Sequence, residues 1–252
     1  MQLCCILCKY LSLASYALYN AKQMVAREVP SIAILASGSG STAEACIHAT
    51  QNGTLNARIG LIVCNRTPEK AGIYDRVSRL NSAYGLAIPV IRISGTTHPG
   101  GAGGRGEQTL EEAGAIATEI DNAGCSLVAL MGYMKKLRGP LLDTYGWRQG
   151  MQSVADVRML NTHPGPLPQT EGLMGLQAQE AVLDLGLGYS AHTVHTVTEA
   201  YDQGMIIRET RVPVVPNDTP ESLFERVQAV EKATLPEVIG YCLAERGLYG
   251  DS

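Results

Sequence analysis

The chain has 252 residues, enough for one α/β domain with a sizeable core or for two small domains. Its composition is 45% hydrophobic and 17% charged, which excludes an intrinsically disordered chain. The formal net charge is −4 and no long basic run occurs, so a nucleic-acid partner, which requires clustered lysine and arginine, is not expected.

Residues 1–30 precede the first regular pattern and are apolar at their start. Lys9 interrupts the apolar run and no basic segment precedes it, so neither a signal peptide nor a membrane-spanning helix is favoured. We expect an N-terminal extension over 1–30, helical or partly disordered, one domain over 31–245 and a tail over 246–252. No membrane partner is expected, and a cytoplasmic location is the default.

The seven cysteines do not form the pattern of a disulfide framework. Cys5 and Cys8 form a CxxC pair, but no second pair or histidine cluster follows at the spacing of a zinc site, so no metal is expected. Cys46, Cys64 and Cys125 lie among apolar residues and are predicted to be buried free thiols.

Short apolar runs alternate with amphipathic segments from residue 32 onward. The runs are continuous, which is typical of parallel strands covered on both faces. Predicted strands lie at 32–36, 59–64, 88–93 and 126–131, and predicted helices near 41–52, 69–82 and 108–123. This order predicts an α/β fold, a Rossmann-like open, mostly parallel twisted sheet with helices on both faces.

The second half continues with a strand that leads into a proline-rich stretch. Predicted elements are a strand at 157–161, a helix near 175–186, β-rich pieces at 191–198 and 205–215 and a long helix near 219–242. Pro220 stands just inside the last helix, where proline favours a helix start.

The stretch "SGSGSTAE" (37–44) follows the first strand and opens a helix. Gly38 and Gly40 let the backbone approach a ligand, and free amides at a helix start favour an anion. The spacing is not GxGxxG and no Walker lysine follows, so a single phosphate is favoured over a nucleotide cofactor. A capping box between Ser41 and Glu44 is the alternative use of this turn, and it is compatible with phosphate binding.

In "NTHPGPLP" (161–168), Asn161 and His163 are two apart on an extended segment, so both project to the same side. An amide donor and an imidazole aimed into one cleft can stabilise an oxyanion and handle a proton. The prolines that follow are predicted to stiffen the exit of the strand, so that Asn161 and His163 keep one orientation without help from a strand ladder. A purely structural polar pair at the end of a strand is the equal alternative.

Two further segments hold candidate groups. Glu199 and Asp202 can serve as acid or base, although an aspartate shortly before Gly204 is also common in turns. His192 and His195 are three apart, which on a strand places them on opposite faces and argues against a metal site. The glycine-rich loop at 94–106 follows the third strand and either covers a ligand or is an ordinary loop.

Four motifs occur in a characteristic order: "SGSGS", "MGYMKKL" (131–137), "NTHPGPLP" and "HTVTEAYDQG" (195–204). Together they resemble the folate-dependent formyltransferases over roughly residues 31–245, which would make this range a formyltransferase catalytic domain. The resemblance implies transfer of a formyl group from 10-formyltetrahydrofolate, a co-substrate, to the amine of glycinamide ribonucleotide in purine synthesis. It implies small-molecule partners and no metal, and it leaves open a monomer or a homodimer.

The resemblance also implies roles for individual residues. Asn161 and His163 would stabilise the tetrahedral oxyanion. Asp202 would favour the imidazolium form of His163 and assist proton transfer through water. The substrate phosphate would lie on Gly38, Ser39, Gly40, Ser41 and Thr42, its ribose near Glu231, and the folate on Arg105, Met134, Lys135, Leu137, Thr198 and Glu199.

Several positions depart from the family pattern, chiefly around the two substrates. Thr42 stands where asparagine is usual, and Lys135 replaces a frequent arginine. Gly165-Pro166 replaces the Ser-Leu pair that commonly follows the His-Pro of the motif. Two alternatives therefore stay open: a formyltransferase for another amine, such as an amino sugar nucleotide, and a catalytically idle ligand-binding module. We do not expect the chain to be one of the formyltransferases that carry an appended RNA-binding or regulatory domain.

Overall fold

A computed structural model describes residues 29–101 and 103–248. Its strands are β1 Ser31–Ala36, β2 Arg58–Cys64, β3 Val90–Arg92, β4 Leu127–Leu130, β5 Met159–His163, β6 Tyr189–Thr196 and β7 Ile206–Pro213. Its helices are α1 Ser41–Gln51, α2 Ile73–Tyr84, α3 Leu110–Asn122, α4 Gly139–Tyr145, α5 Leu176–Asp184 and α6 Pro220–Glu245. The expectation for residues 1–28 and for 249–252 lies outside the described residues, and the predicted domain boundaries stay predictions.

The described strands form one open sheet in the order β3-β2-β1-β4-β5-β6-β7. Strands β1 to β5 pair in parallel, whereas β6 is antiparallel to β5 and β7 is antiparallel to β6. The predicted fold class, an open and mostly parallel Rossmann-like sheet, is confirmed. Strand order reverses beside β1, so the ends of β1 and β4 flank the crevice where such folds bind ligands.

Both faces of the sheet are covered, which explains the continuous apolar runs in the sequence. All six residues of β1 are buried. Ile32 and Ile34 point into a core built with α1, α2 and α6, and Ala33 and Leu35 point into a core built with α3 and α4. Alternate residues of one strand thus contribute to two hydrophobic layers, each removing apolar surface from water.

The fifth strand extends further than the sequence indicated. Strand β5 ends at His163, and His163 pairs with Thr193 of β6. The prediction that the prolines alone hold Asn161 and His163 is therefore wrong, because both residues lie inside a hydrogen-bonded ladder. The prolines begin only after that support ends, and the Leu167–Pro168 peptide among them is cis.

The predicted capping box of Ser41 and Glu44 is also wrong. Helix α1 has Gly40 at its N-cap, with no side-chain hydrogen bond to the cap. The Glu44 carboxylate instead pairs with Arg76 of α2. Helix α4 was not predicted; it begins at a glycine and a proline, where the apolar pattern is too short to show helical periodicity.

The predictions for the scattered cysteines hold where the structure describes them. Cys46, Cys64 and Cys125 are buried and free, as is Cys242. Among residues 29–101 and 103–248, no cluster of three or more potential metal ligands occurs. No helix in that part of the chain is long and apolar enough to span a bilayer.

Candidate active site

The turn between β1 and α1 is shaped for close approach by a ligand. Gly40 has φ +76°, and a Cβ there would lie 2.7 Å from the side chain of Ile73, so both conformation and space require glycine. Because no side chain in the described part of the chain caps α1, the first amides of this helix remain available to an anion. This geometry is compatible with the phosphate site predicted over 38–42.

The same turn is tied to the stretch after β4. The backbone N–H of Ser37 donates to the carbonyl of Gly132 at 3.1 Å, and the Ser37 hydroxyl accepts from the N–H of Met134 at 2.8 Å. The predicted phosphate turn and the predicted folate stretch are therefore held together at the carboxyl edge of the sheet.

Four polar side chains meet where β5, β6 and the following turn converge. Asn161 and His195 are cross-strand partners, with Asn161 Nδ2 3.0 Å from His195 Nε2. Asp202 lies between the two histidines: its Oδ1 is 3.4 Å from His195 Nε2, and its Oδ2 is 3.5 Å from His163 Nδ1. The predicted catalytic residues Asn161, His163 and Asp202 are thus brought together, with His195 as a fourth member.

The backbone holds Asp202 in an uncommon conformation. Its φ is +52°, a region that non-glycine residues seldom adopt and that is frequent at functional sites. The backbone N–H of Gly172 donates to Asp202 Oδ2 at 2.9 Å. Two residues further on, a Cβ on Gly204 would lie 1.7 Å from the carbonyl oxygen of Thr196, so only glycine fits there. The turn therefore fixes the direction of the carboxylate.

The protonation states differ from the expectation for the Asp–His pair. Burial lowers the pKa of His163, and the opposing effect of Asp202 does not overcome it. Burial raises the pKa of Asp202, but its interactions with His195, with His163 and with the backbone N–H of Gly172 together bring the pKa below its usual value. The resting pair is therefore a neutral imidazole beside a carboxylate, and the prediction that imidazolium is favoured is wrong for the ligand-free site.

The tautomer of His195 follows from its neighbours. Its Nδ1 lies 2.8 Å from the carbonyl oxygen of Thr196, which can only accept, so Nδ1 carries the hydrogen. In the neutral ring, Nε2 then accepts one hydrogen of the Asn161 amide. The second amide hydrogen of Asn161 has no partner among the described residues, and an oxyanion hole needs such a donor.

Glu231 of α6 lies on the other side of β5. The hydroxyls of Thr42 and Thr162 donate to its Oε1 at 3.2 and 3.1 Å. Burial raises the pKa of Glu231 against the effect of these two hydroxyls. Through Thr42, the residue predicted to lie near the ribose thus contacts the predicted phosphate turn directly.

A buried polar chain continues from Thr162 into the protein. The hydroxyl of Thr162 lies 2.8 Å from His192 Nε2, and His192 Nδ1 lies 3.0 Å from the Thr234 hydroxyl. Burial lowers the pKa of His192 to about 4, so this ring is neutral. His192 and His195 bond to neighbouring residues of β5 that project to opposite faces, as predicted for two histidines three apart on a strand.

A cavity of about 480 Å³ opens beside the stretch that follows β4. Three of the six predicted folate residues line it: Leu137, Thr198 and Glu199. Cationic and anionic groups also line it, among them Lys136, Arg138, Arg148, Glu107 and Asp143. Its size suits a ligand with an extended ring system.

The other three predicted folate residues do not line this cavity. The Lys135 ammonium pairs with the fully buried carboxylate of Glu112 at 2.6 Å. Met134 is 47% exposed, and Arg105 is exposed in the glycine-rich loop. Glu107, the residue that follows this loop, pairs with Lys136 through a short parallel bridge, so the end of the loop is attached to the cavity wall.

The position of His195 beside Asn161 was not predicted, because the spacing of His195 from His192 raised only the question of a metal site. The signal lies in the antiparallel pairing of β5 with β6, which no local pattern displays. Thr170, which contacts His163 Nε2 at 2.9 Å, was not predicted either, because no local pattern displays the path of the turn that follows β5.

An uncommitted amide hydrogen beside a basic imidazole and an ionised carboxylate suits the transfer of a carbonyl-containing group to an amine. At the crevice of a Rossmann-like sheet, this arrangement defines a group-transfer enzyme. The chain belongs to the formyl transferase family, whose sequence model matches residues 31–239.

Relatives of known name agree with that membership. A chloroplastic phosphoribosylglycinamide formyltransferase of Arabidopsis thaliana is 29% identical over 85% of this chain and 66% of its own length. A trifunctional purine biosynthetic protein adenosine-3 of Gallus gallus is 32% identical over 82% of this chain, which spans only 18% of that protein. A crystal structure of glycinamide ribonucleotide transformylase 1 from Geobacillus kaustophilus superposes with a TM-score of 0.68 at 30% identity, covering 86% of this chain and 100% of that one.

Proposed function

We propose that this protein transfers the formyl group of 10-formyltetrahydrofolate to the amine of glycinamide ribonucleotide. The observation that carries the proposal is the convergence of Asn161, His163, His195 and Asp202 within 3.0–3.5 Å in a chain of the formyl transferase family. The names of the relatives support this acceptor in preference to an amino sugar nucleotide.

In the proposed reaction, the amine of the ribotide attacks the formyl carbon. The new C–N bond forms while the carbonyl π electrons move onto oxygen, giving a tetrahedral oxyanion. The free N–H of Asn161 donates to that oxygen. Collapse of the intermediate breaks the bond between the carbon and the folate nitrogen, which leaves with a proton as tetrahydrofolate.

His163 and Asp202 handle the proton that the attacking amine must lose. His163 is neutral at rest, so it can accept this proton, directly or through water. The imidazolium so formed faces the Asp202 carboxylate at 3.5 Å, and their attraction stabilises the charge as it develops. The same ring then returns a proton to the departing folate nitrogen.

The two substrates would enter from opposite sides of these residues. The ribotide phosphate would lie on the uncapped start of α1, and the ribose would approach Glu231, which is anchored through Thr42. The folate would occupy the 480 Å³ cavity lined by Leu137, Thr198 and Glu199. The formyl group would then lie near Asn161, between the two substrates.

The test is a product assay with purified protein, 10-formyltetrahydrofolate and glycinamide ribonucleotide. We expect formylated ribotide and tetrahydrofolate in equal amounts. Turnover only with an amino sugar nucleotide would reassign the acceptor. The absence of turnover with every amine tested would overturn the proposal in favour of a ligand-binding module.

A further inference from the structure

Thr170 lies next to Nε2 of the His163 imidazole and is completely buried. Its Oγ1 is 2.9 Å from His163 Nε2 and 2.9 Å from the carbonyl oxygen of Pro166. The residue sits in the turn that follows β5, so it touches the ring on the side away from Asp202. None of the proposed catalytic steps uses it.

Counting hydrogens at this contact restricts the state of the ring. The Thr170 hydroxyl has one hydrogen, and the Pro166 carbonyl can only accept. When that hydrogen points to Pro166, the hydroxyl oxygen can only accept from His163, so the hydrogen of neutral His163 is on Nε2. The lone pair of the ring is then on Nδ1.

The distances around the ring favour this arrangement. A buried imidazole N–H needs a partner, and Thr170 Oγ1 at 2.9 Å is a better one than Asp202 Oδ2 at 3.5 Å, which lies beyond the ordinary range. With the hydrogen on Nε2, Nδ1 is the basic nitrogen and faces the carboxylate. A proton on Nδ1 would convert this contact into a hydrogen bond between an imidazolium and a carboxylate.

We propose that Thr170 is a positioning residue that fixes the hydrogen of neutral His163 on Nε2, so that Nδ1, beside Asp202, receives the proton from the attacking amine. The kinetic part rests on the proposed function, but the tautomer itself does not. After protonation, the hydroxyl of Thr170 continues to accept from Nε2–H, so it also supports the imidazolium.

Other titratable groups near His163 also influence how its protonation depends on pH. Asp202 raises the pKa of His163 and His195 lowers it, both after the larger lowering by burial. His192, on β6, is neutral near pH 7. Glu171, next to Thr170, is exposed and accepts from Gln203 at 2.5 Å. Substituting Thr170 changes none of these charges.

The first test is nitrogen NMR of ligand-free protein labelled with 15N in histidine, recorded above the pKa of His163. The His163→Gln spectrum assigns the resonance. We expect the Nε2–H tautomer in the wild type and in Thr170→Ser, and a shift toward Nδ1–H in Thr170→Val, which has the same shape without the hydroxyl. A wild-type ring with its hydrogen on Nδ1 would overturn the proposal, whatever the enzyme formylates.

The second test is the pH dependence of turnover in the same variants. Thr170→Val should lower kcat by about tenfold, since a hydrogen bond to a charged group contributes roughly 1.5 kcal/mol. It should leave KM nearly unchanged and move the acidic limb of the kcat profile to lower pH, because the imidazolium loses an acceptor. Thr170→Ser should retain most of kcat. If the valine and serine variants, both folded by thermal melt, have the same profile as the wild type, Thr170 does not position His163.

Discussion

The two faces of β5 differ in how completely their polar groups are bonded. On one face, one amide hydrogen of Asn161 has no partner within 29–101 and 103–248, and Asp202 approaches the two histidines no closer than 3.4 Å. On the other face, Thr162 joins Glu231 and His192 through contacts of 2.8–3.1 Å. Because side chains alternate along β5, one face presents polar groups that can form new hydrogen bonds, whereas the other presents groups whose hydrogen bonds are already made within the protein.

This difference follows from what each face has to do. A proton-transfer site benefits from partners that become fully bonded only as charge develops. A binding carboxylate needs a fixed direction, which buried hydroxyls supply. Substitutions on the first face should therefore change turnover, and substitutions on the second should change binding or stability.

The largest effect is expected from Asp202→Asn. The amide keeps an oxygen for the Gly172 N–H but loses the negative charge that stabilises imidazolium, so kcat should fall about 10²–10⁴-fold. The measurement is steady-state kinetics with a thermal melt to confirm folding. Asp184→Asn, an exposed change at the end of α5, is the matched control and should have wild-type activity. A near-normal rate in Asp202→Asn would remove this residue from the mechanism.

Asn161→Ala tests the oxyanion donor on the same face. It removes the free N–H, and kcat should fall about 10²–10³-fold while KM for the folate changes little. The matched control is Asn122→Ala, at the exposed end of α3, which should be neutral. If the loss of kcat/KM comes from a higher KM and not from a lower kcat, Asn161 binds substrate and does not stabilise the transition state.

Glu231→Gln tests the second face through both binding and stability. KM for the ribotide should rise about tenfold, a loss of roughly 1.4 kcal/mol, while kcat changes little. A carboxyl whose folded pKa is raised destabilises the fold once pH exceeds its unfolded value. The variant should therefore melt at a higher temperature than the wild type at pH 7, and this gain should shrink as pH falls through the normal glutamate range.

Two outcomes would contradict this account of Glu231. One is an unchanged KM for the ribotide, which would leave the carboxylate without a binding role. The other is a stability gain that is the same at pH 4 and pH 7, which would mean that burial of the charge is not its cause.

Thr234→Val should have the smallest effect. It removes a hydroxyl that lies 3.0 Å from His192 Nδ1, and the free energy of unfolding should fall by about 1 kcal/mol. Denaturant titration measures this loss, with Thr234→Ser as the conservative control. Because His192 acts through Thr162 on the bonded face, kcat should be unaffected. A fall in kcat would show that the two faces are coupled.

Most of the fold could be predicted from the sequence because buried parallel strands produce continuous apolar runs. The end of β5 could not, because Thr162 and His163 are polar and interrupt the pattern although they continue the ladder. The start of α1 was misread because Ser41 and Glu44 have capping spacing, while the positive φ of Gly40 places the cap one residue earlier.

The site was less predictable than the fold, for a different physical reason. Asn161 and His163 share a strand, so alternation predicts that they face the same side. Finding His195 and Thr170 beside them depends on strand register and on the path of a turn, both determined by contacts distant in sequence. The predicted folate residues divide likewise, since Leu137 lines the cavity whereas Lys135 is held by a partner on α3.

The two hydrogen bonds of Ser37 have a consequence for how the substrates bind. One residue clamps the loop proposed for the ribotide to the loop proposed for the folate. A ligand that stiffens either loop reduces the conformational entropy that the other has left to lose. The two substrates should therefore bind with positive cooperativity, each tightening the affinity of the other by the same factor.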